Sequence, residues 1–254
     1  IMLTPMIKTL RNGIPDAKIS VVMLPNGAEY VLKDSDLVND VIIYNSKKVL
    51  REIRHRWYDL AIASTHRGFM RSKEAFRTGA FWRIGFRYDY KGKKDTGFLF
   101  THAVPYDESK HEVEQGLDLI RPLGLPEIRE LYMHVTENDQ LEAEKILQEA
   151  NIKGDKPIFG IYTGLDPDHP KGRCMPLDKF AKLADILSSD YGAEIIIVGS
   201  SEETPTAMKI ADMMINKPKI LTGKTTLRQV SAIIKKCSLF VSSDGGPMHI
   251  AAAM

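Results

Sequence analysis

The sequence predicts an α/β protein made of two doubly wound domains, each a parallel sheet covered by helices. Three observations carry that prediction. Short apolar, β-prone runs alternate with stretches of helical periodicity along the whole chain. The alternation breaks at residues 151–157 (NIKGDKP), where Gly154, Asp155 and Pro157 interrupt it, and then starts again. This divides the chain into domains of residues 1–152 and 153–254. In the second half the apolar runs close on Thr163-Gly164, Gly199-Ser200 and Asp244-Gly245-Gly246. In a parallel sheet such strand ends share one crevice, the usual place for a ligand.

In chain order, Met6, Ile7 and Leu10 share one face of a helix that stops at Asn12-Gly13. Pro15-Asp16 turns the chain into a buried strand at 18–24 (KISVVML), and a second strand is expected at 41–44. A basic helix at 46–57 leads to a third strand at 59–64. Residues 66–94 then hold nine Lys or Arg (67, 71, 73, 77, 83, 87, 91, 93, 94) against Glu74 and Asp89. In a chain of net charge +2 this concentration has two readings. One is a surface for an acidic substrate or an anionic membrane face; the other is a solvated loop-and-helix face. Nucleic acid is disfavoured as a partner, because no helix-turn-helix or aromatic RNA-binding signature accompanies the charge. A strand at 98–104 follows, then a helix at 111–122 marked by Val113, Leu117 and Ile120, and a polar-faced helix at 137–151.

The second half repeats the pattern more cleanly. A strand at 158–162 precedes a helix whose face is Phe180, Leu183, Ala184 and Leu187 and which ends near Tyr191-Gly192. Strand 194–198, helix 202–214 and a short strand at 219–221 come next. Thr226-Leu-Arg-Gln229 fits a capping box that opens a helix at 227–236. The last strand, 239–241, runs into the stretch that concentrates the chemistry.

That stretch, 238–253, reads SLFVSSDGGPMHIAAA. Its order is strand, glycine turn, then a helix with Pro247 in the first turn, where a missing N–H costs nothing. One reading has a phosphate resting on the helix amides while Asp244 accepts from sugar hydroxyls. The other is an ordinary strand-to-helix turn whose glycines relieve crowding. Arg173 could fork onto a diphosphate, and Glu202 either faces the same crevice or opens a helix as an acid favoured by its dipole. Asp166-Pro-Asp168 resembles a metal-binding Asp-x-Asp, but its prolines favour a turn. The seven histidines lack zinc-site spacing, and no nucleophile elbow, Walker loop or dinucleotide fingerprint is present.

The composition, 43% hydrophobic and 27% charged, is that of a soluble globular protein, and no apolar run approaches the ~20 residues of a membrane span. Cys174 and Cys237 lie far apart without metal-ligand spacing, as inert thiols of a reducing cytoplasm would. The chain begins at Ile1 without a signal-peptide pattern and stops at Met254 inside the helix that the last motif opens, so both ends read as cut.

Taken together, these motifs resemble glycosyltransferase family 9, best known for the ADP-heptose:lipopolysaccharide heptosyltransferases. The likeness covers nearly the whole chain. Leu3-Thr4-Pro5, Pro15-Asp16-Ala17 and the apolar run that follows look like the family's opening segment. Arg71-Ser72, Arg83-Ile84-Gly85-Phe86, His111-Glu112-Val113-Glu114 and Leu123-Gly124-Leu125 are similar to its middle. Gly223-Lys224-Thr225-Thr226-Leu227 and the run from Ser243 to Ala253 match its last two motifs most closely.

The resemblance implies a GT-B architecture, two Rossmann-like domains facing across a cleft, with the second domain incomplete in this sequence. It implies inverting, metal-independent transfer of a sugar, with no cofactor and ADP-heptose as donor substrate. The acceptor would be a lipopolysaccharide-core or similar acidic glycan or glycolipid. Donor contacts are expected from Thr163, Gly164, Arg173, Ser201, Glu202, Asp244, Gly245, Gly246 and His249, and acceptor contacts from Arg67 and Arg71. The family's base is an aspartate in a Gly-Asp pair upstream of the segment that begins at Ile1, so no catalytic residue is assigned here. Met175-Pro176 stands where the family has an aromatic-proline pair. The implied location is the cytoplasm, with peripheral contact at the inner membrane. A nucleotide-sugar epimerase of the same architecture and a non-catalytic nucleotide-sugar-binding module are the alternatives.

Overall fold

The computed structural model describes residues 1–254 except 26, 65–67, 88–96 and 165–174 and the side chains of 47 and 68–70. The chain forms two compact units, Ile1–Tyr132 and Met133–Met254.

The first unit runs α1 (Thr4–Gly13), β1 (Ser20–Met23), β2 (Asp40–Ile43), α2 (Lys47–Arg54), β3 (Leu60–Ala63), α3 (Gly68–Arg77), β4 (Trp82–Arg87), β5 (His102–Pro105) and α4 (Glu112–Asp118). All its strand pairs are parallel: β1 with β2, and β4 with β3 and β5. Among the described residues β1 and β3 each pair on one side only. Helix α1 starts with Pro5 in its first turn and buries Met6 and Ile7. Two buried threonines on it strap down the end of the unit. Thr4 Oγ1 accepts from the Tyr132 amide at 2.8 Å, and Thr9 Oγ1 accepts from the Ile128 amide at 2.8 Å. Arg11 then closes the helix by donating to the carbonyls of Pro15, Ala17 and Leu37.

Strand β4 lies inside the basic stretch, where the sequence suggested a surface or a solvated face. Within it Arg83 donates to the carbonyls of Leu99, Ala80 and Phe81, whereas Lys73, Arg77 and Arg87 are exposed, and residues 67, 91, 93 and 94 lie outside the described residues. Meanwhile Ile84 and Phe86 are buried. Gly85 lies beneath the Phe100 ring so closely that a Cβ would fall inside it.

The second unit runs α5 (Glu137–Glu149), β6 (Ile158–Tyr162), α6 (Leu177–Tyr191), β7 (Glu194–Val198), α7 (Thr204–Met213), β8 (Lys219–Ile220), α8 (Leu227–Lys236), β9 (Leu239–Ser242) and α9 (Gly246–Ala251). Among the described residues its four strands form one parallel sheet in the order β8-β7-β6-β9. Phe159 and Ile161 of β6 pack with Ile195 and Ile197 of β7 against Phe180, Ala184 and Ile210 from α6 and α7. The expected capping box is formed: Thr226 Oγ1 accepts from the Gln229 amide and Gln229 Oε1 from the Thr226 amide.

Helix α5 was expected to close the first domain, yet it belongs to the second unit. It buries Ala143 and Leu147, packs on α8, and Glu144 bridges to Lys236 at 2.7 Å. The glycine-proline stretch at 151–157 is therefore the turn between α5 and β6, with Asn151 at φ 58° and Gly154 at φ 76°. Among the described residues no helix is long and apolar enough to cross a membrane.

Candidate functional site

Parallel strands in one sheet put their carboxyl ends on one edge, so the segments after β6, β7 and β9 emerge side by side. Tyr162, the last residue of β6, links all three. Its hydroxyl donates to Glu203 Oε1 at 2.7 Å. Its backbone carbonyl accepts from the Ser243 amide at 3.0 Å. Its ring covers Gly245, where a Cβ would come within 2.8 Å of Cε1. Gly245 is extended, at φ 167°, so the demand for glycine there is steric.

Glu203 is 6% exposed. Its second oxygen accepts from the Ser200 amide at 2.6 Å, and Ser200 in turn caps the short 3₁₀ turn that opens α7. Gly199 sits at φ 155°, and a Cβ there would lie 2.6 Å from Glu203 Oε2, so both backbone and space require glycine. Burial, the Glu203 hydrogen bond, and the charges of Glu203 and Asp244 push the Tyr162 phenol well above the usual tyrosine range. Tyr162 is thus a neutral donor to a buried carboxylate over the physiological range.

The turn after β8 joins the same edge. Gly223, at φ 71°, packs on Ser201, with its Cβ position 3.1 Å from Ser201 Cα. The hydroxyls of Thr204 and Thr222 are 2.9 Å apart. The Gly223–Leu227 motif, the serine-glutamate turn and the Asp244-Gly245-Gly246 turn are therefore neighbours.

The expected residues fall into three groups. Ser201, Glu202, Asp244 and Gly246 are exposed at this edge, and Gly164, Gly245 and His249 lie beside them, Gly164 at φ 74°. Thr163 is 1% exposed and its hydroxyl donates to the Gly164 carbonyl, so it faces inward. Arg173, Arg67, Asp166, Asp168 and Cys174 lie outside the described residues. Arg71, on α3 of the first unit, is half-buried and ion-paired with Glu74. The end of α9 offers fewer donors than a full helix terminus, since Pro247 has no amide proton and the Met248 amide donates to Gly245 O.

Two residues escaped the sequence reading, Tyr162 and Glu203. The signal for Glu203 was present: Ser200-x-x-Glu203 repeats the Ser/Thr-x-x-Glu/Gln pattern read at Thr226. Ser243 is also buried at this edge, with its hydroxyl unpartnered among the described residues. Cys237, at the end of α8, has its thiol pushed up to about 12 by burial, as an inert thiol would. Among the described residues no group of three or more His, Cys, Asp or Glu is placed to hold a metal ion.

Comparisons with known proteins bear on this arrangement. The chain is 27% identical over 270 residues to lipopolysaccharide heptosyltransferase 3 of Escherichia coli K12, a match spanning all of this chain and 76% of that protein. It is 30% identical over 167 residues to lipooligosaccharide heptosyltransferase 2 of Haemophilus influenzae, covering 64% of this chain and 45% of that one. Among solved structures, a family 9 glycosyl transferase from Veillonella parvula superposes with a TM-score of 0.84 at 20% identity, over 99% of this chain and 73% of that one. ADP-heptose lps heptosyltransferase II of E. coli gives 0.73 at 20% identity, over 99% and 77%. At such identities the superpositions establish the fold: α/β with parallel sheets, matching heptosyltransferase structures over most of their length. Residues 46–254 match the family described as glycosyltransferase family 9 (heptosyltransferase). With most of its length inside that match, the chain belongs to glycosyltransferase family 9.

Proposed function

We propose that this chain is a heptosyltransferase, with the carboxyl edge of the β8-β7-β6-β9 sheet as its donor site. The observation that carries the reading is the Tyr162–Glu203–Gly245 assembly, which fixes three strand-end turns against one another in a member of this family. The donor is ADP-heptose. Support for the nucleotide comes from a related E. coli heptosyltransferase solved with ADP, which superposes with a TM-score of 0.71 at 18% identity.

In this reading Asp244, exposed beside the glycine turn, accepts from sugar hydroxyls, and Gly245, Gly246 and His249 border the diphosphate. Arg173 would add a fork of donors to the leaving phosphates. Exposed Glu202 accepts from the ribose hydroxyls, in a turn held by buried Glu203, whose oxygens accept from Tyr162 and the Ser200 amide. Inverting transfer also needs a base for the acceptor hydroxyl. Glu203 is unsuited to that task, because both of its oxygens already accept hydrogen bonds. The first unit meets an acidic glycan or glycolipid acceptor through Arg67 and Arg71.

Calorimetry with ADP and with ADP-heptose tests the donor site. Asp244→Ala is expected to weaken ADP-heptose binding about tenfold or more, the cost of one charge-assisted hydrogen bond, and to affect ADP less. Equal donor affinity in the variant, or release of epimerised sugar nucleotide without acceptor, would overturn the reading.

A further inference from the structure

The amino-terminal edge of the β3-β4-β5 sheet carries a surface that the donor site does not use. The chain has two tryptophans, and both stand on this edge. Trp57, three residues before β3, is 87% exposed, and Trp82, the first residue of β4, is 48% exposed. The two strand entries lie side by side, since Leu60 pairs with Trp82 and the Trp82 amide donates to Asp59 O. Phe81, 71% exposed, meets Trp82 edge-on at 5.1 Å. Single exposed apolar side chains are ordinary, but a cluster of large aromatics at one edge marks an interaction surface.

The same edge receives the carboxyl ends of α2 and α3. Arg51 and Arg54 lie in the last turn of α2, and Arg77 in the last turn of α3, all three exposed. Arg54 reaches the turn between α3 and β4, where its Cγ lies 3.2 Å from the Cβ position of Gly79. Residues 47–57 carry five Lys or Arg (47, 48, 51, 54, 56) against Glu52. Arg56 is tied to Asp40, whereas among the described residues Arg51, Arg54 and Arg77 form no ion pair. Each helix end offsets only about half a charge. Against these three arginines and Arg83, which sits on the Ala80 and Phe81 carbonyls, stand exposed Glu52 and Asp59 and the two helix ends, so the edge keeps an excess of about one positive charge.

Aromatic anchors rimmed by surplus arginines select an occupant. A second copy of this face would set like charges against each other. An anionic bilayer supplies a negative potential for the arginines and an interfacial layer in which tryptophan rings settle. We propose that this edge docks the first unit on an anionic membrane face, with Trp57, Phe81 and Trp82 entering the headgroup layer. The choice of a membrane rests on the glycolipid-acceptor reading above, while the surface itself is independent of the donor site.

Because both tryptophans lie on this edge, intrinsic fluorescence of the full chain reads it directly. With vesicles of phosphatidylglycerol and phosphatidylcholine, the emission should shift to the blue and be quenched by brominated lipid. Phosphatidylcholine alone should give neither effect, and added salt should reverse both. Arg51→Gln and Arg54→Gln should each weaken vesicle binding about fivefold, and Trp57→Ser should weaken it further; all three positions are exposed, so the variants keep the fold.

The proposal is overturned if phosphatidylglycerol vesicles leave emission and sedimentation unchanged, or if the arginine variants bind them as the unaltered chain does. A blue shift that grows with protein concentration without lipid would assign the surface to a second copy and also overturn it. Donor binding without vesicle binding removes this inference and leaves the donor site standing, and vesicle binding without donor binding does the reverse.

Discussion

The two units treat the same kind of sheet differently. In the second, β6 and β7 each have a strand on both sides, and Ile161, Ile196 and Ile197 are fully buried. In the first, among the described residues, β1, β2, β3 and β5 each pair on one side, and the residues of β1, β2 and β3 are half-buried, apart from exposed Val22. Strand β4 is the first unit's exception in both respects. It pairs on both sides, and its run Ile84-Gly85-Phe86 is buried. The apolar residues of β3 (LAIA) and β7 (EIIIV) look alike in sequence. What separates them is flanking strands, because a parallel strand reaches full burial only when neighbours and helices close every side.

The largest test of this contrast is stability. Ile197→Ala should cost about 2–5 kcal/mol, the transfer of a buried side chain plus its cavity. The same change at half-buried Ile62 of β3 should cost roughly half as much. Urea unfolding of both variants checks it, and equal losses would break the comparison. Next comes the tie between strand ends. Tyr162→Phe should cost about 1.5–3 kcal/mol, since a buried carboxylate loses one donor, and amide exchange at Gly245–Met248 should speed up with it. Unchanged exchange in that turn would detach Tyr162 from the site. Gly245→Ala should cost about 1–3 kcal/mol by forcing the Tyr162 ring aside, and donor affinity should fall in parallel.

The smallest effect is a difference in pH response. In the second unit the Tyr162 phenol and the Cys237 thiol are both raised, so the folded state holds these protons more tightly than the unfolded chain. Their contribution is intact below the unfolded values of 10.0 and 9.0 and is lost as pH rises beyond them. In the first unit Glu127 is lowered by hydrogen bonds from Arg121, with help from Arg129, and Asp107 by hydrogen bonds from Ser109. Their contribution is present above 4.5 and 3.8 and is lost as pH falls below those values. These carboxylates are exposed, so the acid effect should be slight. Melting followed across pH should show an alkaline loss that Tyr162→Phe reduces; an alkaline limb unaffected by that change would assign it to other groups.

Several local features were legible because their causes are local. Strand β7 falls at the expected 194–198, and the helix after Thr226 starts at its predicted cap. The turn after β9 carries its glycines where the strand meets the helix. Other features were hidden. Glu202 and Glu203 are adjacent acids in the same turn, and the sequence does not tell which is exposed at the edge and which is buried beneath it. The choice between them depends on which carboxylate points at Tyr162, forty-one positions earlier in the chain. Strand β4 was masked by Arg83, whose charge implies solvent until its three carbonyl partners are known.

By itself, then, the sequence determined the alternation of strands and helices, the restart of that pattern in the second half, and the family motif at Ser243–Ala253. Periodicity, caps and glycine turns act over a few residues and need no partner from elsewhere. Only the tertiary structure decided that α5 joins the second unit, that Thr163 turns inward, and that Tyr162 binds Glu203 while covering Gly245. Each of those outcomes depends on how elements pack in the folded unit, and no local pattern records which side chains will touch there.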